Sequence, residues 1–485
     1  MQFELAIVTV FLAVFLLLRP RDKILVSFFL ISSCFNLAPD IVYGYYVRDA
    51  GFILLGVTWV DLSFRSEREP PPPSSVTRAV ALFTTWCFVC LAYGLIVYKY
   101  PVILTLKAAR QLTLGYCTYF VFRRLFSVDP GALRYLLRVF YFSTYLLMPV
   151  YVLQYLLNKQ LLFGLVREYA GAVRALPIIL PLLHLFLWRS VSRGFAAEKW
   201  ALHEAVYTGL AVSVIAITFT RGIYAGTLLG LILVAAALSL SGKLRVGRVA
   251  AFSGAAAVVL CLLIGLAGMD RVIGRFSSGV NVVTGSSSAP VKVEDDLDTF
   301  SGRLLTAADR VRLVAKQNPF IGYGFIHETI VPDALRNDLK HGSIVDTPSY
   351  NQLYAIGYPY VLALHSADIG WVDVVVDTGL VGLFLILSVV GAVVVRVTNI
   401  MRTTFLPTAS YYAVLAFGVE IIVQTILMFN GNPLVGGTQF FTFCLSGFVT
   451  SAGYFSARHS IGSQLPASEP VIHAPGRPRI ENLLP

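Results

Sequence analysis

Charged residues are scarce in this chain. Only 13% of its 485 residues are Asp, Glu, Lys or Arg, whereas such residues make up about a quarter of soluble domains. Hydrophobic residues account for 56% of the sequence, and its mean hydropathy is +0.73. This balance excludes an ordinary soluble domain and predicts a polytopic membrane protein.

Cysteines are few and confined to apolar stretches. All six lie in hydrophobic segments, and the long polar segment between Asp270 and Asp368 contains none. Cys87 and Cys90 form a CxxC motif, but no histidine or acidic residue accompanies them in that apolar stretch. Packing therefore explains them better than metal or redox chemistry. The sequence predicts no disulfide, no metal site and no cofactor.

Three further features are missing. No basic stripe with interleaved aromatic residues is present, so we expect no nucleic-acid partner despite a net charge of +11. The first apolar stretch lacks the basic start and the small-residue cleavage site of a signal peptide, and we expect it to remain as a helix. No internal repeat of hydropathy marks two inverted halves, which argues against a secondary transporter.

Apolar windows divide the chain, and most of them are long enough to cross a bilayer as a helix. Because several are short or interrupted by proline, they predict an all-α polytopic protein with about 12–14 transmembrane helices. The predicted organisation is transmembrane helices over 1–268, a loop over 269–369, further transmembrane helices over 370–456 and a disordered tail over 457–485. The windows lie at residues 3–18, 24–42, 50–64, 79–98, 101–121, 136–157, 173–188, 201–219, 222–241, 249–268, 371–395, 409–429 and 434–455.

Lys and Arg are unevenly distributed over the connections between these windows. Of the 38 basic residues, 21 fall in alternate connections and the C-terminal tail, whereas six fall in the short opposite connections. Cytoplasmic connections of membrane proteins carry the Lys and Arg excess. The N-terminus and the long loop are therefore predicted to lie outside the cytoplasm, and the C-terminus inside it.

The long loop carries three features that could support chemistry. They are an SGR motif ending at Arg303, an NPFIGYG motif at Asn318–Gly324, and His365. A helix is predicted over about 302–317, ended by Asn-Pro, and it makes Arg303 and Arg310 neighbours on one face. Because the bilayer core does not solvate charge, we expect the polar site of this protein to involve the loop.

Arg221 stands between TFT and GIYAG at the outer end of a predicted helix, on the same face of the membrane as Arg303 and His365. Guanidinium groups bind phosphate oxygens bidentately and keep their charge, so both arginines suit a lipid-linked diphosphate. Neutral imidazole can act as a general base because its ordinary pKa is about 6.5. Each residue also fits a plainer role: an interfacial anchor for Arg221, a solvated helix charge for Arg303 and a satisfied interfacial histidine for His365.

Four other residues are candidates for substrate binding. Lys107 and Arg110 lie one turn apart inside an apolar window, where two cations are unfavourable unless they meet a phosphate or an aqueous cavity. Arg310 shares the helix face of the SGR arginine. Tyr323 could line a sugar site, although aromatic residues at a membrane interface need no such role. Helix packing or charge balance is a better explanation than substrate binding for three acidic residues of the later windows, Asp373, Asp377 and Glu420.

The order of these motifs resembles the O-antigen ligase and polymerase superfamily of bacterial polysaccharide assembly. TFTRG is followed by SGR and NPFIGYG, and then by HSADIGWVDVVVDTGLVGLFL, so that the similarity runs from Thr218 to Leu385. Three positions depart from the family pattern. Ala307 stands where Trp is common, Ser366 where Asn is usual, and Asp377 where Glu is frequent.

The resemblance implies a GT-C-type glycosyltransferase in the bacterial inner membrane. It implies that Arg221 and Arg303 bind an undecaprenyl-diphosphate-linked oligosaccharide at the periplasmic face, and that His365 deprotonates an acceptor hydroxyl for inverting attack without a metal. The first prediction is a polymerase of O-antigen, capsule or exopolysaccharide repeat units. The alternatives are a ligase that transfers the glycan to lipid A core or protein and, as a different class, a polysaccharide flippase or transporter. A structural scaffold of the polysaccharide export machinery is a third alternative. A chain-length regulator and other polysaccharide assembly proteins are expected partners.

Overall fold

The structure is a computed structural model. It describes residues 12–32, 37, 41–42, 45–65, 73–129, 131–163, 166–169, 172–175, 179–196, 198, 201–218, 220–251, 253–254, 300–332, 335, 364–365, 369–403 and 408–428.

The described part of the chain is predominantly helical. Two short antiparallel hairpins accompany the helices, β1–β2 at Ile41–Val42 and Tyr45–Tyr46, and β3–β4 at Val166–Tyr169 and Ala172–Ala175. A 3-10 helix spans Glu328–Ile330. The principal α-helices are α1 (Pro20–Ile31), α2 (Val47–Arg65), α3 (Ser75–Ile96), α4 (Val102–Val128), α5 (Ala132–Leu157), α6 (Leu180–Phe195), α7 (Leu202–Ile217), α8 (Arg221–Leu240), α9 (Phe300–Gln317), α10 (Gly370–Thr403) and α11 (Thr408–Leu427).

Within the described residues, four helices have the length and apolar composition needed to cross a membrane. Large apolar side chains stay exposed on them, among them Leu82, Leu146, Leu228 and Phe384, as expected of side chains that contact lipid. The predicted α-helical membrane character is thus confirmed, while the total number of spans stays a prediction. The four spans are Ser75–Ile96, Tyr135–Leu157, Gly222–Leu240 and Gly370–Arg402.

Two predicted windows are only partly helical. The window at 24–42 contains the end of α1 and then strand β1, and the window at 173–188 begins in strand β4 before α6 starts. Both errors have one cause, since overall hydropathy does not distinguish a helix from a short strand that pairs with a neighbour. The window at 434–455 and most of the window at 249–268 lie outside the described residues.

Helix α10 joins two groups of helices. In the first group, α10 packs against α3, α3 packs against α4, α4 packs against α2, and α2 packs against α1. In the second group, α10 packs against α11, which contacts α6 and α8. Buried side chains of these helices form one hydrophobic core. A second, smaller cluster forms where α9 and the loop cover the start of α10, and it includes Val314, Tyr323, Ile326, Val372 and Val376.

Helix α10 is broken at Gly379, whose φ of 68° and ψ of −172° are not helical. The NPFIGYG turn inserts at this break. The Tyr323 N–H donates to the Val376 carbonyl at 2.7 Å, and the Leu380 N–H donates to the Pro319 carbonyl at 2.8 Å. In an unbroken helix the Leu380 N–H would pair with the Val376 carbonyl. The turn therefore supplies hydrogen-bond partners to the Val376 carbonyl and the Leu380 N–H, which the break leaves without their helical partners.

The same turn packs closely against α3. Gly324 and Gly94 approach so closely that a Cβ on either one would meet the backbone of the other. Next to the break, the Trp86 Nε1 of α3 donates to the Thr378 carbonyl at 2.9 Å. Irregular backbone is tolerated at membrane depth when protein groups satisfy its hydrogen bonds. The turn is therefore built into the helical bundle.

Three helix ends meet at one end of the bundle. The Gly370 N–H, at the start of α10, donates to the carbonyl of Met428, just after α11, at 2.9 Å. Gly226, in the second turn of α8, packs against Leu427 of α11. Helix α8 therefore begins, with Arg221, at the end of the bundle where α10 begins.

A buried polar network joins α6, α8 and α11. Glu420 accepts hydrogen bonds from Trp188 Nε1 at 2.8 Å and from Gln424. The imidazole of His184 lies 3.6 Å from the Glu420 carboxylate and 3.2 Å from the Thr227 hydroxyl. A carboxylate is tolerated in the interior when donors surround it in this way. This placement agrees with the interpretation of Glu420 as a packing group.

The helix break gives a first testable prediction. Gly379→Ala should lower the free energy of unfolding by about 1–3 kcal/mol through backbone strain alone, and further because its Cβ would meet the carbonyl of Phe320. Gly391→Ala in the same helix is the matched control, since a Cβ there has open space and alanine is the better helix former by about 0.5–1 kcal/mol. Thermal unfolding in detergent measures both variants. Equal midpoints for the two would contradict the inserted turn.

Candidate active site

The imidazole of His365 lies between two carboxylates. Its Nε2 is 2.7 Å from Asp377 Oδ1, and its Nδ1 is 3.0 Å from Glu328 Oε1. Both ring nitrogens are thus within hydrogen-bond distance of acidic side chains. The His365 side chain is 20% exposed, whereas Asp377 is 10% and Glu328 41% exposed. The site is therefore open from the Glu328 side.

The helix break positions Asp377. This residue lies in the last turn of α10 before Gly379, and its backbone carbonyl accepts a hydrogen bond from the Gly324 N–H at 3.2 Å. The glycine-rich turn therefore fixes the backbone of the residue that orients His365. A carboxylate that bonds one ring nitrogen fixes the tautomer and orientation of a histidine.

Glu328 holds both the ring and the backbone of His365. It begins the 3-10 helix that follows the NPFIGYG turn. One carboxylate oxygen accepts from the His365 N–H at 2.6 Å as well as facing Nδ1, and the other accepts from the Leu364 N–H at 3.2 Å. This single side chain therefore ties the segment before α10 to the segment after the turn.

The electrostatics of the cluster favour a charged histidine. Burial alone would lower the pKa of His365, but the charges and hydrogen bonds of Asp377, Glu328 and Asp373 outweigh it and hold this pKa well above its ordinary value of 6.5. Burial likewise would raise the pKa of Glu328, yet its hydrogen bonds and ion pair with His365 lower this pKa from its ordinary value of 4.5. In the site without substrate the two carboxylates therefore favour the imidazolium form of His365.

This charged state bears on the predicted chemistry. An imidazolium has no lone pair, so it can donate hydrogen bonds but cannot accept a proton. The prediction of a neutral base rested on the ordinary pKa of histidine. In the folded protein, two neighbouring carboxylates raise the pKa of His365. For His365 to act as a base, one of its ring nitrogens must first lose its carboxylate partner and its proton.

The two predicted catalytic arginines are placed by their helices. Arg303 lies in the first turns of α9, which packs against α10 and ends just before the inserted turn. Arg221 is the first residue of α8. Their side chains lie outside the described residues, so a meeting of both guanidinium groups with His365 stays a prediction.

Arg310 and Tyr323, two predicted substrate-binding residues, are buried near the site. Arg310 is fully buried, and its guanidinium donates to the neighbouring Asp309 at 2.7 Å. The Tyr323 hydroxyl donates to Gln317 at 2.7 Å, while its ring belongs to the smaller hydrophobic cluster. In this state both side chains contribute to the packing of α9 and the turn against α10.

Lys107 and Arg110, the other two predicted substrate-binding residues, lie on α4. The Arg110 guanidinium is ion-paired with Asp49 of α2 at 2.6 Å. Lys107 is exposed. The Arg110 guanidinium is thus held by an acidic residue of α2, and a role for either residue in substrate binding stays a prediction.

Sequence reasoning missed Glu328 and interpreted Asp377 as a packing group. Glu328 is 37 residues from His365 in the chain, so no local pattern links them. One signal was present, since Glu328 lies only four residues after Gly324, the last residue of the NPFIGYG motif. Asp377 shares a helix with Asp373, and helical spacing alone cannot tell which of the two faces a histidine.

The raised pKa of His365 predicts how stability depends on pH. Because protonation is favoured in the folded state, the stabilisation is fully present below 6.5 and is lost as the pH rises through the raised folded-state pKa. The lowered pKa of Glu328 acts in the opposite sense, with stabilisation present above 4.5 and lost as the pH falls through its folded-state pKa.

We therefore expect the thermal midpoint in detergent to fall as the pH is raised above 6.5. The Asp377→Asn variant should show a weaker dependence over the same range, because the strongest acidic partner of His365 has been neutralised. Parallel curves for the two proteins above that pH would show that His365 is not coupled to Asp377.

The fold and the cluster together define a helical membrane protein with a histidine–carboxylate centre beside a broken helix. The family model described as O-antigen ligase (Wzy_C) matches residues 206–387. Over this segment the chain is similar to the O-antigen ligase and polymerase superfamily, whose members are glycosyl-transferring enzymes. The matched segment contains Arg221, Arg303, Glu328, His365 and Asp377. No curated protein matches the chain.

Proposed function

We propose that the protein is a GT-C-type glycosyltransferase that takes its glycan from an undecaprenyl-diphosphate carrier at the periplasmic face of the bacterial inner membrane. The observation that supports this most directly is His365, set between Asp377 and Glu328 at 2.7 and 3.0 Å within the segment that matches the family. Such a centre can hold and release a proton beside a membrane-embedded bundle. Glycosyl transfer to a hydroxyl requires that ability.

The proposed reaction is a single inverting displacement. The acceptor oxygen attacks the anomeric carbon, the bond between that carbon and the diphosphate oxygen breaks, and the hydroxyl proton passes to His365. Arg221 and Arg303 bind the diphosphate and neutralise the negative charge that grows on it. Because diphosphate is a good leaving group, positioned cations and one base suffice in this proposal, and no metal is required.

Polymerisation is the proposed use of this chemistry. The growing chain would be transferred from its carrier to the next lipid-linked repeat unit of an O-antigen, capsule or exopolysaccharide. A ligase that transfers a finished glycan to lipid A core or to protein uses the same donor and the same residues, and the matching family model is described as a ligase. The two functions differ in acceptor alone.

Deletion of the gene tests the proposal. Single repeat units on lipid A core, with long chains restored by the wild-type gene, are expected of a polymerase. Long chains that accumulate on undecaprenyl diphosphate are expected of a ligase. Surface polysaccharide and lipid-linked glycans unchanged by the deletion would contradict both functions, and lipid-linked units trapped on the cytoplasmic side would favour a flippase.

A further inference from the structure

Glu328 is the most accessible member of the His365 cluster. Its side chain is 41% exposed, against 20% for His365 and 10% for Asp377. It also lies on a 3-10 helix of three residues, and such short helices have poorer hydrogen-bond geometry than α-helices. Asp377, in contrast, lies within α10 beside the inserted turn. Of the two carboxylates that bond the imidazole, Glu328 is the more exposed and lies on the shorter element.

The two edges of the imidazole also differ in how accessible they are. Asp377 closes the Nε2 edge from inside the bundle at 2.7 Å. Glu328 covers the Nδ1 edge at 3.0 Å, on the side that solvent reaches. An acceptor hydroxyl must come within about 2.6–3.2 Å of the nitrogen that takes its proton. It can do so only at Nδ1, where the Glu328 carboxylate already lies.

We propose that Glu328 is a displaceable positioning residue, which covers the Nδ1 edge of His365 until an acceptor hydroxyl takes its place. This inference rests on the proposed glycosyl transfer and adds a means of regulating it. While Glu328 is in place, both ring nitrogens donate hydrogen bonds and no lone pair is available. Water that enters the site before the acceptor is then not activated, and the lipid-linked donor is protected from hydrolysis.

The proton balance of the exchange is simple. As the acceptor displaces Glu328, the Nδ1 proton leaves on that carboxylate and passes to water, which leaves Nδ1 with a free lone pair. Nδ1 then accepts the proton of the acceptor hydroxyl while the new glycosidic bond forms and the bond to diphosphate breaks. When product leaves, Glu328 returns to the Nδ1–H group. One proton is released for each transfer, and Asp377 holds Nε2–H throughout.

The charged groups around His365 determine how readily its imidazole gains and loses a proton. Asp377 and Asp373 belong to α10, and Glu328 belongs to the 3-10 helix. On α9, which packs against α10, the buried side chains of Asp309 and Arg310 form an ion pair with each other at 2.7 Å. Among these groups, Glu328 is the one whose removal exposes Nδ1 and leaves the Asp377 contact intact.

Glu328→Gln tests the proposal, because it keeps the size and a hydrogen-bond acceptor for the backbone N–H groups but removes the charge. Thr329→Ala is the control, since it alters the same 3-10 helix without touching His365. Each protein is expressed in the deletion strain, and its membranes are opened with detergent so that they supply their own lipid-linked glycan. Polymer and free oligosaccharide released by hydrolysis are then measured across a range of pH. Separately, the purified proteins are labelled with ¹⁵N-histidine, and the His365 signal is assigned by its loss in His365→Gln.

The expected result has three parts. In Glu328→Gln the His365 titration moves to lower pH, the acid limb of the transfer profile moves with it, and the proportion of donor hydrolysed rises several-fold. Thr329→Ala should match wild type in all three.

An unshifted His365 titration, or a shifted titration with hydrolysis unchanged, would overturn the proposal. Loss of transfer at every pH without added hydrolysis would do the same, because a purely structural residue behaves in that way. If wild type itself forms no more polymer than His365→Ala, the proposed glycosyl transfer has failed, and the titration alone still reports whether Glu328 is coupled to His365.

Discussion

His365→Ala should lower glycosyl transfer by about 10²- to 10⁴-fold, which is the contribution that a general base typically makes. Long-chain product should disappear from cells, while the protein still inserts into the membrane. The loss should be nearly independent of pH, because the group that titrates has been removed. Transfer is measured by the chain-length distribution of surface polysaccharide and by polymer formed in membranes that contain matched amounts of the variant.

His203→Ala is the matched control for this experiment. His203 is also exposed to solvent, but it lies at the start of α7, away from the broken helix. We expect wild-type chain length from that variant. Full-length polysaccharide from His365→Ala would rule out the base assignment, and equal losses from both variants would point to a general effect on insertion.

Arg303→Ala and Arg221→Ala should each lower transfer by about 10²- to 10³-fold, as does the loss of a group that stabilises charge in a transition state. Both guanidinium groups are proposed to hold the diphosphate, where negative charge grows as the bond to the sugar breaks. Lysine variants at the two positions should recover only part of the activity, because an ammonium group keeps the charge but loses the bidentate geometry.

Arg312→Ala is the control for the arginine series. This residue belongs to the same helix as Arg303 and is exposed, so its loss should leave the chain-length distribution unchanged. A structure with a lipid diphosphate bound gives the decisive measurement. Guanidinium groups of Arg221 and Arg303 that face different cavities would exclude the shared diphosphate site.

Much of the helical framework was predictable because it depends on local sequence. Helix α9 was predicted over 302–317 and spans Phe300–Gln317, and the window at 222–241 corresponds to α8. Length, hydropathy and the Asn-Pro stop signal are sufficient for such elements. The short hairpins β1–β2 and β3–β4 were not predicted, since strands of two to four residues are too short to show a recognisable periodicity.

The break in α10 could not be predicted, because hydropathy is continuous across Gly379 and an isolated glycine is common in membrane helices. What determines the break is a tertiary contact, the insertion of the NPFIGYG turn. The same holds for the candidate site. His365 was predicted from its type and position, but its charge state depends on Glu328 and Asp377, which only the folded chain brings to its two ring nitrogens.

The insertion of the turn into α10 also constrains how the protein is made. The turn precedes Gly379 in the chain and is synthesised first, yet its Tyr323 N–H and Pro319 carbonyl find their partners on residues of α10. Until α10 has left the ribosome and entered the bilayer, those groups must be satisfied by water. The turn is therefore expected to dock only after α10 has been inserted. Nascent chains that end before Gly379 should remain open to protease at the turn, and chains that include α10 should be protected.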